Sequence, residues 1–83
     1  MPLRLLKRLL DEFALSFTRS DHGLVVRTPP GAAPALAEGI DRVDLPDVAG
    51  TIAGDNTILV LGREGVAPHR LERSLSQIME ATT

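Results

Sequence analysis

Residues 48–61 constrain the fold of this chain more than any other segment. Two apolar runs rich in β-branched residues flank a tight turn, which reads Gly54-Asp55-Asn56. β-branched residues favour strands, whereas Gly, Asp and Asn tolerate the backbone angles of tight turns. The segment therefore predicts a β-hairpin with strands over 48–53 and 57–61. Its turn presents a carboxylate beside a carboxamide at one rim of a sheet, and a carboxylate suits a guanidinium or ammonium cation.

Hydrophobic periodicity predicts the remaining elements. Leucines at helical spacing predict a short helix over 3–10. From Phe13 the apolar residues alternate through Leu15 and Phe17, which predicts a half-buried strand over 13–18. A turn and a returning strand follow it. The returning strand covers 24–27. Two further helices are predicted, one over 32–43 with Pro34 in its first turn and one over about 67–79.

The predicted order, ββαββα after a short N-terminal helix, is typical of an α+β two-layer sandwich. Its four-stranded sheet is mostly antiparallel and its helices cover one face. The other face is expected to be polar or buried against another subunit. The chain has 83 residues, no Cys, and only Phe13 and Phe17 as aromatic residues. Because such a small aliphatic core is marginal, we expect oligomerisation to complete it.

Composition and spacing exclude several classes of function. The formal net charge of -2 argues against nucleic-acid binding by this chain alone. No apolar run approaches the roughly 20 residues that span a bilayer, and no signal peptide is evident, so a cytoplasmic location is expected. His22 and His69 lack partners at metal-ligand spacing, and the serines lack a His-plus-acid pattern. We therefore predict neither a metal site nor catalysis.

Several motifs together resemble the C-terminal domain of the bacterial arginine repressor, over nearly all of residues 12–79. They are Thr28-Pro29-Pro30-Gly31-Ala32-Ala33, Ile40-Asp41, Leu45-Pro46 and the run from Gly50 to Val60. The resemblance implies that residues 1–11 are the end of an interdomain linker. It implies that residues 12–83 form an oligomerisation and L-arginine-binding domain, with the DNA-binding domain absent.

The same resemblance implies how the domain works. Family members form trimers that stack in pairs into hexamers, and L-arginine binds between the trimers as corepressor. Operator DNA would be contacted only through the missing N-terminal winged helix-turn-helix domain. No membrane partner and no metal are implied.

The resemblance also implies a set of ligand-binding residues. Asp55 matches the first Asp of the family's Gly-Asp-Asp-Thr pattern, whereas Asn56 stands in place of the second. Pro34 stands at a position that is commonly Gln or His in the family. The full implied set is Asp55, Asp41, Thr51, Ala53, Asn56, Thr57, Ala33 and Pro34.

Two alternatives remain open because of these departures at positions 34 and 56. The first is a purely structural oligomerisation module without ligand control. The second is a sensor of another cationic amino acid, such as ornithine or lysine, or of citrulline.

Overall fold

The computed structural model describes residues 1–81, so residues 82 and 83 of the predicted domain lie outside the described residues. Over the described range the predicted α+β order and four-stranded antiparallel sheet are confirmed. The sheet has the strand order β1-β2-β4-β3, and each neighbouring pair is antiparallel. The elements are α1 (Leu3–Phe13), β1 (Ser16–Ser20), β2 (Gly23–Arg27), α2 (Ala33–Val43), β3 (Val48–Ala53), β4 (Thr57–Gly62) and α3 (Pro68–Glu80).

The predicted start of the first strand, at Phe13, is wrong. Helix α1 continues through Phe13, and the amide of Ala14 still donates to the carbonyl oxygen of Leu10 at 2.9 Å. Phe13 lies three residues after Leu10, so it extends the apolar stripe of a helix as well as it fits a strand. Leu15 is 65% exposed and precedes β1, and only Phe17 of the three alternating residues belongs to the strand.

Helix α1 is packed into the core of the domain. Leu6 and Leu10 are fully buried, and the ammonium of Lys7 donates to the carbonyl oxygen of Met79 at 2.9 Å. Where α1 meets α2, a Cβ on Gly39 would lie 2.7 Å from Cδ1 of Leu9. Gly39 therefore allows the two helices to approach closely.

The two faces of the sheet differ in how they are covered. The residues facing the helices include Leu24, Val26, Ile58 and Val60, and all four are fully buried. On the opposite face, Val25, Leu59 and Ile52 are register partners across β2, β4 and β3. Ile52 is 62% exposed, and no helix among residues 1–81 covers this row. The sheet thus presents an uncovered apolar row, defined here by residues 25, 59 and 52.

The burial of α1 predicts that alanine substitutions at two leucines of that helix lower the free energy of unfolding by very different amounts. Replacing the fully buried Leu6 with Ala should lower the free energy of unfolding by about 2–5 kcal/mol, because a cavity remains in the core. Leu3→Ala makes the same chemical change at a residue that is 54% exposed and should cost less than about 0.5 kcal/mol. Urea denaturation of both variants measures this difference. Equal losses would contradict the packing of α1 into the core.

Candidate ligand-binding site

The turn between β3 and β4 is tied by its backbone to the segment that precedes α2. The amide of Thr28 donates to the carbonyl oxygen of Asn56 at 2.9 Å. The amides of Gly31 and Ala33 both donate to the carbonyl oxygen of Asp55, at 3.1 and 3.2 Å. Helix α2 has no side-chain N-cap, so the Asp55 carbonyl satisfies one of its otherwise unpaired N–H groups. The backbone of the turn is therefore held in place against the start of α2.

The side chain of Asp55 is available on this fixed backbone. Asp55 is exposed, and its carboxylate has neither a hydrogen bond nor an ion pair with any residue in the described range 1–81. A carboxylate in this state can accept hydrogen bonds from a cationic ligand without first losing a protein partner.

The neighbouring side chains form a short hydrogen-bonded chain. The Nη1 atom of Arg27 donates to Oγ1 of Thr57 at 2.7 Å, and that hydroxyl donates to Oδ1 of Asn56 at 3.1 Å. Sequence reasoning missed Arg27 as a neighbour of the turn. Arg27 lies opposite Thr57 in the antiparallel pairing of β2 with β4, and this pairing was the signal that could have identified it.

A second group of predicted residues meets at the other end of α2. The hydroxyl of Thr51 donates to Oδ2 of Asp41 at 2.9 Å. Both residues line a cleft of about 280 Å³ between the C-terminal end of α2 and β3. Strand β3 has a bulge at Ala49 beside this cleft, and bulges bend a strand locally. The lining residues are Ile40, Asp41, Asp44, Leu45, Val48, Ala49, Gly50 and Thr51.

Asp55 and Asp41 lie at opposite ends of α2 in one protomer. Asp55 contacts Ala33 at the start of the helix, and Asp41 follows Ala33 by eight residues. Eight residues of α-helix correspond to a rise of about 12 Å. Asp55 is accordingly absent from the lining of the cleft that contains Asp41. The two carboxylates do not converge on one pocket within this chain.

The other predicted residues take different positions. Ala53 is exposed at the end of β3 and lies on the same face of that strand as Thr51. Pro34 is exposed in the first turn of α2, as its position in the sequence predicts, and it offers no polar side-chain atom. Ala33 is fully buried, so its side chain belongs to the core while its amide holds the turn.

The acidic groups along α2 and the adjacent hairpin favour a cationic ligand. Asp44 accepts a hydrogen bond from Nη2 of Arg63 at 3.1 Å, and Nε of Arg63 donates to the carbonyl oxygen of Val48. Arg63, in the loop after β4, therefore joins that loop to the end of α2. Within residues 1–81, neither Asp41 nor Asp55 has a basic partner. Each of the two carboxylates can therefore pair with a cation without breaking an existing ion pair.

The described residues offer neither a cluster of metal ligands nor a helix that could span a membrane. Over residues 1–81, no three His, Cys, Asp or Glu side chains are grouped so that they could hold a metal ion. The helices in that range are all too short or too polar to cross a lipid bilayer.

Comparison with known proteins identifies the family. Residues 10–77 match the family model for the C-terminal domain of the arginine repressor. The chain belongs to this family. Its relatives include the arginine repressor of Carboxydothermus hydrogenoformans, which is 46% identical over 59 residues; these make up 71% of this chain and 39% of the relative. The match thus covers well under half the length of that curated relative. The family predicted from the motifs between residues 28 and 60 is confirmed, and it is a family of regulatory proteins.

The backbone conformation of the segment before α2 predicts that replacing Gly31 lowers stability more than replacing Gly54. Gly31 has a φ of 81°, in the left-handed region, and an added Cβ would meet no atom within 4 Å. Gly31→Ala should therefore lower the free energy of unfolding by about 1–2 kcal/mol through backbone conformation alone. Gly54→Ala is the matched control, because Gly54 is outside the positive-φ region and its nearest contact would be 3.6 Å away. Urea denaturation compares them, and equal stabilities would contradict this account of the loop.

Proposed function

We propose that this chain is the oligomerisation and L-arginine-sensing domain of a transcriptional repressor of arginine metabolism. L-arginine is the corepressor and binds at the interface between two trimers of a hexamer. The domain acts in the cytoplasm without catalysis, and a separate N-terminal domain of the intact repressor contacts operator DNA. Family membership supports the regulatory role. The unpaired carboxylate of Asp55 on its fixed turn is the structural observation that carries the proposed ligand chemistry.

Self-association is supported by the uncovered apolar row. Val25, Leu59 and Ile52 form a continuous strip across three strands, on the face that has no helix. Ile52 of this strip is exposed and Val25 and Leu59 are half-buried. Such an apolar strip on a small domain favours contact with another protein surface, because that contact removes it from water. A second copy of the domain is the partner that the family implies. Burial of this row would add to a core that is small in the single chain.

The separation of the two acidic groups supports a ligand site shared between copies. Asp55 and Asp41 are at opposite ends of α2, so a single arginine would not contact both easily within one protomer. When two copies pack together, Asp55 of one copy can approach the Asp41 end of another. The guanidinium of arginine carries five donors in a planar fork, which pairs bidentately with a carboxylate such as Asp55. Thr51 and the backbone near Ala53 supply further polar groups.

This arrangement couples ligand binding to assembly. The carboxylates that meet at this interface, Asp55 of one copy and Asp41 of another, repel one another when no ligand is present. A cation placed between them replaces that repulsion with charge-assisted hydrogen bonds, and so stabilises the assembled form. Since linkage is reciprocal, assembly raises the affinity for the cation by the same factor.

A structural module without ligand control is the second candidate. Two observations favour it: Oδ1 of Asn56 is already engaged by Thr57, and Pro34 offers no polar side-chain atom. Calorimetry with L-arginine separates the two candidates. Absence of both heat and thermal shift at millimolar arginine would favour the structural module, and a thermal-shift panel with ornithine, lysine and citrulline would identify a different amino-acid ligand.

The apolar row predicts the outcome of one surface substitution. Ile52→Glu should shift the domain from its assembled form to single subunits, because a charge would have to be buried at the interface. Leu15→Glu is the control, since Leu15 is similarly exposed at 65% but lies outside the row. Sedimentation equilibrium gives the mass of each variant. An unchanged mass for the Ile52 variant would remove the sheet face from the proposed interface.

The free carboxylate predicts a loss of arginine affinity in a second variant. Asp55→Asn should weaken L-arginine binding by at least about tenfold, because it removes a charge-assisted pair. Asp21→Asn makes the same change at the exposed turn between β1 and β2 and should leave binding unchanged. Isothermal titration calorimetry and sedimentation with and without arginine measure both effects. Equal affinities in the two variants would rule out Asp55 as the cation partner.

A further inference from the structure

The hydrogen-bonded chain beside Asp55 determines which polar atoms Asn56 offers to a ligand. The guanidinium of Arg27 can only donate, so the hydroxyl of Thr57 accepts from it at 2.7 Å. The hydroxyl keeps its own hydrogen and donates it to Oδ1 of Asn56 at 3.1 Å. The Thr57 bond therefore holds the Asn56 amide with its oxygen toward Thr57, and Arg27 holds the Thr57 hydroxyl.

An amide oriented in this way presents its nitrogen outward. An Asn side chain has one accepting oxygen and one NH₂ group that carries two donors. Asn56 is exposed and its Oδ1 is engaged by Thr57, so the donating Nδ2 group is the part of the amide that remains for a ligand. Asp55, the preceding residue, presents only acceptors. Asp55 and Asn56 are adjacent and both exposed in the same turn, so both are open to a ligand at this rim of the sheet.

This pair of groups distinguishes ligands by their hydrogen-bonding pattern. A guanidinium carries donors only, so it matches the Asp55 carboxylate but places a donor against Nδ2 of Asn56. A ureido group carries an NH₂ donor and a carbonyl acceptor side by side. Its NH₂ can donate to Asp55 while its oxygen accepts from Nδ2 of Asn56. A guanidinium gains the stronger charge-assisted bond at Asp55, whereas a ureido group satisfies both side chains.

We infer that Asn56, oriented by Arg27 and Thr57, makes this turn a site for ureido as well as guanidinium side chains. L-citrulline is the amino acid that tests this class. The inference rests on the proposed amino-acid-sensing function, and it adds that the domain discriminates poorly between a charged and a neutral end group. Arg27 and Thr57 are positioning residues in this arrangement, because they act through Asn56.

The test is isothermal titration calorimetry of the full 83-residue chain with L-arginine and, separately, L-citrulline. For the unaltered chain, the dissociation constants for arginine and citrulline should agree to within about tenfold. Arginine gains the stronger charge-assisted bond at Asp55, whereas citrulline gains an additional hydrogen bond from Asn56. Asn56→Asp replaces the donor with an acceptor. It should shift the ratio of the two constants toward arginine by at least about tenfold.

Thr57→Val provides an independent test of the amide's orientation. Valine has nearly the shape of threonine and suits a strand, but it cannot accept from Arg27 or donate to Asn56. The freed amide can turn its oxygen toward a guanidinium, so arginine should bind more tightly and citrulline more weakly. A variant that merely loosened the turn would weaken both ligands, and that result would overturn the positioning role.

The remaining outcomes separate this inference from the proposed function. The inference alone would be overturned if arginine bound at least about a hundredfold more tightly than citrulline and Asn56→Asp left that ratio unchanged. Equal binding of citrulline to the unaltered chain, Asn56→Asp and Thr57→Val would also overturn the inference, because Asn56 would then not contact the ligand. Binding of neither amino acid to the unaltered chain would overturn both proposals.

Discussion

The two hydrogen bonds accepted by the carbonyl of Asp55 connect the parts of this domain on which its candidate site depends. They join the β3–β4 turn to the amides of Gly31 and Ala33, and so to the start of α2. An aspartate side chain is itself a favoured N-cap. Here the backbone carbonyl satisfies the helix amide instead, so the carboxylate is not consumed in supporting the fold. The same residue therefore holds the helix to the hairpin and keeps a charged group free.

Helix α2 spaces the two acidic groups of the candidate site. Its start is held by Asp55, and near its end Asp41 accepts a hydrogen bond from Thr51 beside a cleft. Because a helix is rigid on this length scale, these carboxylates cannot move together within one protomer. In the proposed function, an assembly that joins the two ends from different copies would resolve this separation. The uncovered row on the other face of the sheet gives the domain a physical reason to assemble.

Most elements of the fold were predictable because each carries a local signal. Strand β3 begins and ends where the apolar run over 48–53 predicts, and Pro34 lies in the first turn of α2. The boundary at Phe13 was misassigned because this residue fits two patterns. It lies seven positions after Leu6, as in the apolar stripe of a helix, and two positions before Leu15, as in a strand. Periodicity alone cannot choose between these patterns. Packing against α2 and α3 decided in favour of the helix.

The sequence by itself determined the family, the α+β order of elements, and the chemical identity of the turn, because these follow from residue types and short spacings. Only the tertiary structure decided which groups remain available to a ligand. It placed Arg27 opposite Thr57, engaged Oδ1 of Asn56, buried Ala33, and put Asp41 and Asp55 at opposite ends of one helix. Contacts of this kind depend on strand pairing and helix packing between residues distant in the chain, and no local pattern encodes them.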